Sequence, residues 1–132
     1  MVIFVDTSAI YAVLYEPDSN HTTAVGIFAR LINSGDGLFT TNYVVLETTA
    51  LLQRRLGMAA VRAFTEEMLP LMDVVWVSER DHHVATAAIL AANRRDLSLV
   101  DCSSFEVMRA HGIRTAFCFD THFREQGFQI AG

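Results

Sequence analysis

Short apolar runs that stop on an acid recur along this chain and limit the folds open to it. Val2-Ile3-Phe4-Val5 ends on Asp6, Leu97-Ser98-Leu99-Val100 on Asp101, and Ala116-Phe117-Cys118-Phe119 on Asp120. Glu47 follows a fourth run, Tyr43-Val44-Val45-Leu46, and no other charge appears until Arg54. Runs of this length and composition read as strands buried on both faces, the signature of a parallel sheet. The carboxyl ends of parallel strands share one edge, where α/β folds bind ligands. A desolvated carboxylate needs a cation or several donors. Four acids on one edge repel one another, and a divalent cation is the simplest counter-charge.

The rest of the chain fits that frame. The spacing predicts a strand over 2–5 and a helix from Asp6-Thr7-Ser8 to Leu14, then a loop at Glu16-Pro17-Asp18-Ser19-Asn20. A helix over 21–33 stops at Ser34-Gly35-Asp36-Gly37, and Leu38-Phe39-Thr40 is a short strand. Thr41 or Asn42 can cap a helix running to Leu56, which Gly57 ends. Further helices are expected over 59–69, from Ser78 to about Asn93, and over 102–111, with Asp101 at the mouth of the last. Strands are expected over 74–77 and 114–119, with a short turn and edge strand in 123–130. Strands alternating with helices imply an α/β fold in one domain spanning 1–132.

Composition narrows the function classes. With 132 residues, 52% of them hydrophobic, the chain can bury a sizeable core. No apolar stretch approaches the ~20 residues of a membrane span. The start lacks the basic segment of a secretion signal, and Cys102 and Cys118 form no paired motif, so a cytoplasmic location with free thiols is expected. Net charge is −5, and without the four acids it would be −1, so a nucleic-acid ligand has to meet local arginines and bound metal. All ten basic residues are arginine.

Each acid alone has an ordinary explanation, since Asp6 and Asp101 can cap helices and Asp120 can open a turn. Capping does not account for Glu47, nor for three repeats of one pattern. Metal-assisted phosphoryl transfer does: Mg²⁺ and Mn²⁺ take oxygen ligands, keep waters and share substrate phosphate. No His or Cys cluster has zinc spacing.

Asp6-Thr7-Ser8 after the first strand, Glu47 in a helix, Leu99-Val100-Asp101-Cys102-Ser103-Ser104-Phe105, and Phe119-Asp120-Thr121-His122-Phe123 resemble, in order, the four motifs of PIN-domain ribonucleases, most closely the VapC-type toxins of toxin–antitoxin modules. The resemblance implies a three-layer α/β/α domain on a central parallel sheet. It also implies a Mg²⁺- or Mn²⁺-dependent endoribonuclease that leaves a 5′-phosphate and a 3′-hydroxyl. Asp6, Glu47 and Asp101 match the core metal-site acids and Asp120 a less uniform fourth position. Thr7 and Ser103 match supporting hydroxyls, and His122 falls in the motif's tail, with a structural role or one behind the metal ligands. The implied partners are an RNA substrate and a small cognate antitoxin.

Arg54 lies seven residues beyond Glu47, on the same helix face and about 10 Å along the axis, where it can meet an RNA phosphate or simply face solvent. Asp96, just before the third motif, can approach the metal but is expected to be a loop residue, and Arg94-Arg95 can meet a phosphate but are expected to be a solvated pair. The apolar residues of the helices at 43–56 and 59–69 suit the antitoxin or a homodimer. Phosphatases, response-regulator receivers and P-loop enzymes, which also place key residues after a first strand, are disfavoured because each needs a lysine. A stand-alone PIN nuclease in RNA processing, or a non-catalytic RNA- or protein-binding module, are the alternatives to a toxin.

Overall fold

The computed structural model describes residues 1–132 as one five-stranded sheet flanked by helices. Its elements are β1 (Val2–Val5), α1 (Thr7–Leu14), α2 (His21–Asn33), β2 (Gly37–Thr41), α3 (Asn42–Arg55), α4 (Met58–Ala63), β3 (Asp73–Val75), α5 (Glu79–Ala92), α6 (Leu99–Ala110), β4 (Thr115–Phe117), α7 (His122–Glu125) and β5 (Gln129–Ile130). The strand order is β3-β2-β1-β4-β5 and every pairing is parallel. The α/β class expected from the sequence therefore stands.

The first strand is central, pairing Ile3 with Leu38 on one side and with Thr115 on the other. Ile3, Phe4 and Val5 are accordingly buried. Leaving β1, the chain first adds strands on one side and later returns to add β4 and β5 on the other. The carboxyl ends of β1 and β4 thus flank the topological switch point, the ligand crevice of open α/β sheets. Asp6 N–H donates to Phe117 O across it at 3.1 Å.

Four aromatic rings anchor the later segments beneath this edge. Phe123 packs on Phe4 at 6.1 Å and edge-on to Phe105 at 5.0 Å, and Phe105 meets Phe128 at 5.8 Å. Phe123 is fully buried, and that burial stabilises by roughly 1.5–3 kcal/mol. It also pins the short α7, and with it His122.

Three local expectations change. Leu97–Val100 is not a strand: Ser98 caps α6, which begins at Leu99, and Asp101 is its third residue. A capping box explains the shift, because Ser98 Oγ accepts Asp101 N–H at 3.0 Å while Asp101 Oδ2 accepts Ser98 N–H at 3.2 Å. Two orphan donors are satisfied at once, and an extended segment would lose both bonds.

The expected 59–69 helix is α4 followed by a wider π-helical turn, Phe64–Met68, and a tight turn, Leu69–Leu71. Phe64 and Met68 both stay buried through the wider turn, and Pro70 prevents the helix from continuing. The last two main strands are shorter than expected, at Asp73–Val75 and Thr115–Phe117. Asp120 therefore stands beyond the end of β4 and not on it.

Candidate active site

Asp6 is held by the turn that follows β1. It is the N-cap of α1, and its Oδ2 accepts both Ser8 N–H at 3.2 Å and Ser8 Oγ–H at 2.7 Å. Ser8 Oγ in turn accepts Phe119 N–H at 2.9 Å, tying the ends of β1 and β4 together. Asp6 is only 4% exposed. Burial raises its pKa to about 7; the Ser8 bonds oppose the rise, and the charges of Asp101 and Asp120 add to it.

Asp101 and Asp120 meet around His122. His122 Nδ1 lies 2.8 Å from Asp120 Oδ1 and 3.5 Å from Asp101 Oδ2. Ligand atoms of all three residues fall within 4.8 Å of one another. His122 N–H also donates to Asp120 Oδ1 at 2.8 Å, which closes the turn into α7. Burial pushes the Asp101 carboxyl up, with the charge of Asp120 adding and the Ser98 hydrogen bonds opposing. Burial alone would lower the His122 imidazole; Asp96, Asp120 and Asp101 outweigh it and raise the pKa.

Glu47 comes from α3 on the opposite wall. With Tyr43, Leu46, His82, Leu99 and Val100 it lines a groove of about 280 Å³ that runs to the start of α6. The sequence suggests an apolar surround for Glu47, yet it and Leu46 are exposed. Partial burial still raises the carboxyl pKa, the Thr7 hydroxyl opposes this, and Asp101 and Asp120 contribute repulsion. Because Glu47 is exposed, water screens it, and the rise is a weaker constraint than the one on Asp6.

The supporting hydroxyls differ in their engagement. Thr7 Oγ1 is hydrogen-bonded to buried Thr48 Oγ1 at 2.9 Å, which locks α1 against α3 beside Glu47. Ser103 Oγ donates to Val100 O at 2.8 Å, so its proton is spent inside α6. Arg54 is exposed on α3, while Arg55 lies over the Tyr11 ring at 5.8 Å.

Ser8, His122 and Asp96 matter more than their sequence context suggests. Asp96 Oδ2 lies 3.3 Å from His122 Nε2, and Arg94 grips the Asp96 carboxylate with bonds of 3.1 and 2.8 Å. Arg94 also donates to Glu125 at 3.1 Å. These bonds hold Asp96 well below the usual carboxylate range. Only Ser8 had a local signal, as a hydroxyl two residues after an N-cap aspartate. The Asp96–His122 pairing joins positions 26 residues apart.

Of the four acids, Asp101 and Asp120 come together with His122 in a group that could hold a divalent cation. Asp6 and Glu47 lie outside that group and feel the charges of Asp101 and Asp120. None of the four forms an ion pair with arginine, and the basic side chain within ion-pair distance of Asp101 and Asp120 is His122. His122 Nδ1 is buried and has no hydrogen-bond partner, although carboxylate oxygens of both Asp101 and Asp120 lie close to it. Burial pushes the neighbouring Cys118 thiol up to about 12, and its Sγ lies 3.7 Å from the Asp120 carbonyl oxygen.

An all-parallel sheet of this order, with acids from four segments at its carboxyl edge, is the architecture of a PIN domain. The sequence matches the PIN domain family over residues 3–129, and the chain belongs to that family. It is 36% identical over 128 residues to the 23S rRNA-specific endonuclease VapC20 of Mycobacterium tuberculosis, covering 96% of this chain and 95% of that one. The crystal structure of that protein, described as a sarcin–ricin loop cleaving toxin, superposes with a TM-score of 0.81 at 37% identity over the same shares.

Two further solved structures share the fold. FitAcB from Neisseria gonorrhoeae has a TM-score of 0.71 at 16% identity, covering 100% of this chain and 97% of that one. VapBC2 from Rickettsia felis, bound to a DNA fragment from its promoter, has a TM-score of 0.68 at 7% identity, covering 98% and 97%. No helix is long and apolar enough to cross a membrane.

Proposed function

We propose that this chain is a metal-dependent endoribonuclease that serves as the toxin of a toxin–antitoxin pair and acts in the cytoplasm. The pairing of Asp101 with Asp120 beside His122, near enough to Asp6 and Glu47 for their charges to interact, is the observation that carries the reading. Identity with VapC20 over nearly the full length of both chains supports it, and 23S rRNA is the first substrate to test.

In this reading Asp6, Glu47, Asp101 and Asp120 hold Mg²⁺ or Mn²⁺. The ion, when bound, supplies a water of lowered pKa and positive charge for the phosphate in the transition state. Asp6, the most buried of the four, is fixed by Ser8 so that both of its hydrogen bonds fall on Oδ2. Asp101 is fixed by the capping box and Asp120 by the His122 backbone. Preorganised carboxylates need no rearrangement as charge develops. Thr7 keeps α1 and α3 in register, and Ser103 secures the turn that carries Asp101. Arg54 meets a phosphate outside the scissile one.

An antitoxin restrains the enzyme, and the chain forms a homodimer. Support for docking comes from exposed Leu46 and Trp76, which border an apolar groove of about 550 Å³ with Asn42, Val45, Leu69 and Val74. The decisive experiment is cleavage of total RNA with Mg²⁺ or Mn²⁺ and mapping of the ends. Cuts leaving 5′-phosphates that disappear with chelator are expected; unchanged RNA, or metal-independent cutting, overturns the assignment.

A further inference from the structure

We infer that His122 Nδ1 is itself a ligand of the metal centre, giving the site a nitrogen donor beside Asp101 and Asp120 and favouring a first-row transition ion such as Mn²⁺ over Mg²⁺. The inference rests on the metal-dependent reading above and deepens it.

Asp96 Oδ2 stands 3.3 Å from His122 Nε2. A carboxylate gripped by Arg94 through two bonds is an acceptor only. When a metal displaces the Nδ1 proton, the remaining ring proton sits on Nε2 facing Asp96, and Nδ1 carries the lone pair. Nδ1 lies 2.8 Å from Asp120 Oδ1 and 3.5 Å from Asp101 Oδ2, which are acceptors too. Nδ1 is nevertheless buried and without a hydrogen bond.

Three potential ligand atoms lie within 4.8 Å of one another, and two carboxylates this close to a buried ring nitrogen call for a cation or a proton among them. Asp96 then plays the part of the carboxylate that orients a metal-ligating histidine and sets its tautomer. Arg94 braces Asp96, Glu125 braces Arg94, and buried Phe123 holds the backbone next door. Such bracing suits a ligand and exceeds what a surface histidine needs.

The identity of the donor decides the preferred ion. Mg²⁺ demands near-octahedral oxygen coordination and binds imidazole poorly, whereas the transition ions accept it. A proton on Nδ1 is the alternative occupant, and it would make His122 a mere counter-charge for the two carboxylates. The two roles predict different ion selectivity and a different spectrum.

The test uses Mn²⁺ itself as the probe, on the full chain. Pulsed electron paramagnetic resonance of the Mn²⁺-loaded protein should show ¹⁴N coupling that changes on ¹⁵N labelling. It should be lost in His122→Ala and kept in His82→Ala. Calorimetry should show Mn²⁺ affinity reduced ~10-fold or more in His122→Ala, with Mg²⁺ affinity nearly unchanged. His122→Asn, which offers an oxygen at the reach of Nδ1, guards against misfolding and should shift the Mn²⁺/Mg²⁺ preference the same way. Mn²⁺ binding without ¹⁴N coupling, or equal loss of both ions, overturns the inference and leaves the metal-dependent reading standing. No binding of either ion to the unmodified protein overturns both.

Discussion

Ser8 Oγ donates to Asp6 Oδ2 at 2.7 Å, and this bond sets the position of the most buried acid in the site. The same oxygen accepts Phe119 N–H, so one hydroxyl joins two strand ends. Ser8→Ala should cost ~1–3 kcal/mol, since a buried acceptor and a backbone donor lose partners together. It should also lift the Asp6 pKa further and weaken metal binding. Thermal unfolding and Mn²⁺ titration check this; a variant as stable and as well metallated as the parent refutes the role.

Asp101→Asn separates chemistry from structure. Asparagine can still accept Ser98 N–H through its carbonyl oxygen, so the capping box survives and the change in stability should stay within about 1 kcal/mol. The negative charge is gone, and cleavage should fall by ~100-fold or more. Comparing end-mapped cleavage with the melting curve distinguishes this from simple unfolding. Full activity in metal-containing buffer would remove Asp101 from the site.

The raised pKa of Asp6 makes the metal-free protein sensitive to alkali. Its folded value is about 7 against an ordinary 3.8, so between those limits the folded state binds the extra proton. Stability from this group is full below about pH 4 and is lost as pH rises through about 7. His122, also raised, loses its contribution in the same direction above its ordinary 6.5. At about 1.4 kcal/mol per unit, Asp6 accounts for roughly 2–4 kcal/mol. Metal-free protein should therefore melt lower at pH 8 than at pH 5. Asp6→Asn should flatten much of that slope, and Mn²⁺ should restore stability at pH 8 by binding the ionised site.

Local chemistry explains which parts of this site were legible in the sequence. Asp6 follows a true strand and caps a helix, so one short motif determines both its place and its conformation. Thr41 likewise caps α3, accepting Val44 N–H at 3.1 Å. Leu97–Val100 misleads because an apolar run suits a strand and a buried first helical turn equally well, and only the Ser98–Asp101 spacing tells them apart. Asp101 reaches the acidic edge nonetheless, carried there by a helix. The part of His122 was hidden, since it depends on Asp96 and Arg94 meeting a four-residue helix from a distant segment. Long-range pairs of that kind leave no period or motif to read.

Trp76 is the only tryptophan of the chain and is 76% exposed beside equally bare Leu46. A large ring left in water next to an apolar groove is the composition of an interface anchor, where truncation typically costs ~2 kcal/mol or more. Its fluorescence therefore reports docking with no label. Adding the cognate antitoxin should shift the emission to shorter wavelength as the indole leaves water. Trp76→Ala should weaken the complex by ~30-fold, a loss to be read by calorimetry because the variant lacks the indole. A blue shift that depends on protein concentration alone would assign this face to the homodimer. Emission unchanged by either would leave the groove outside both interfaces.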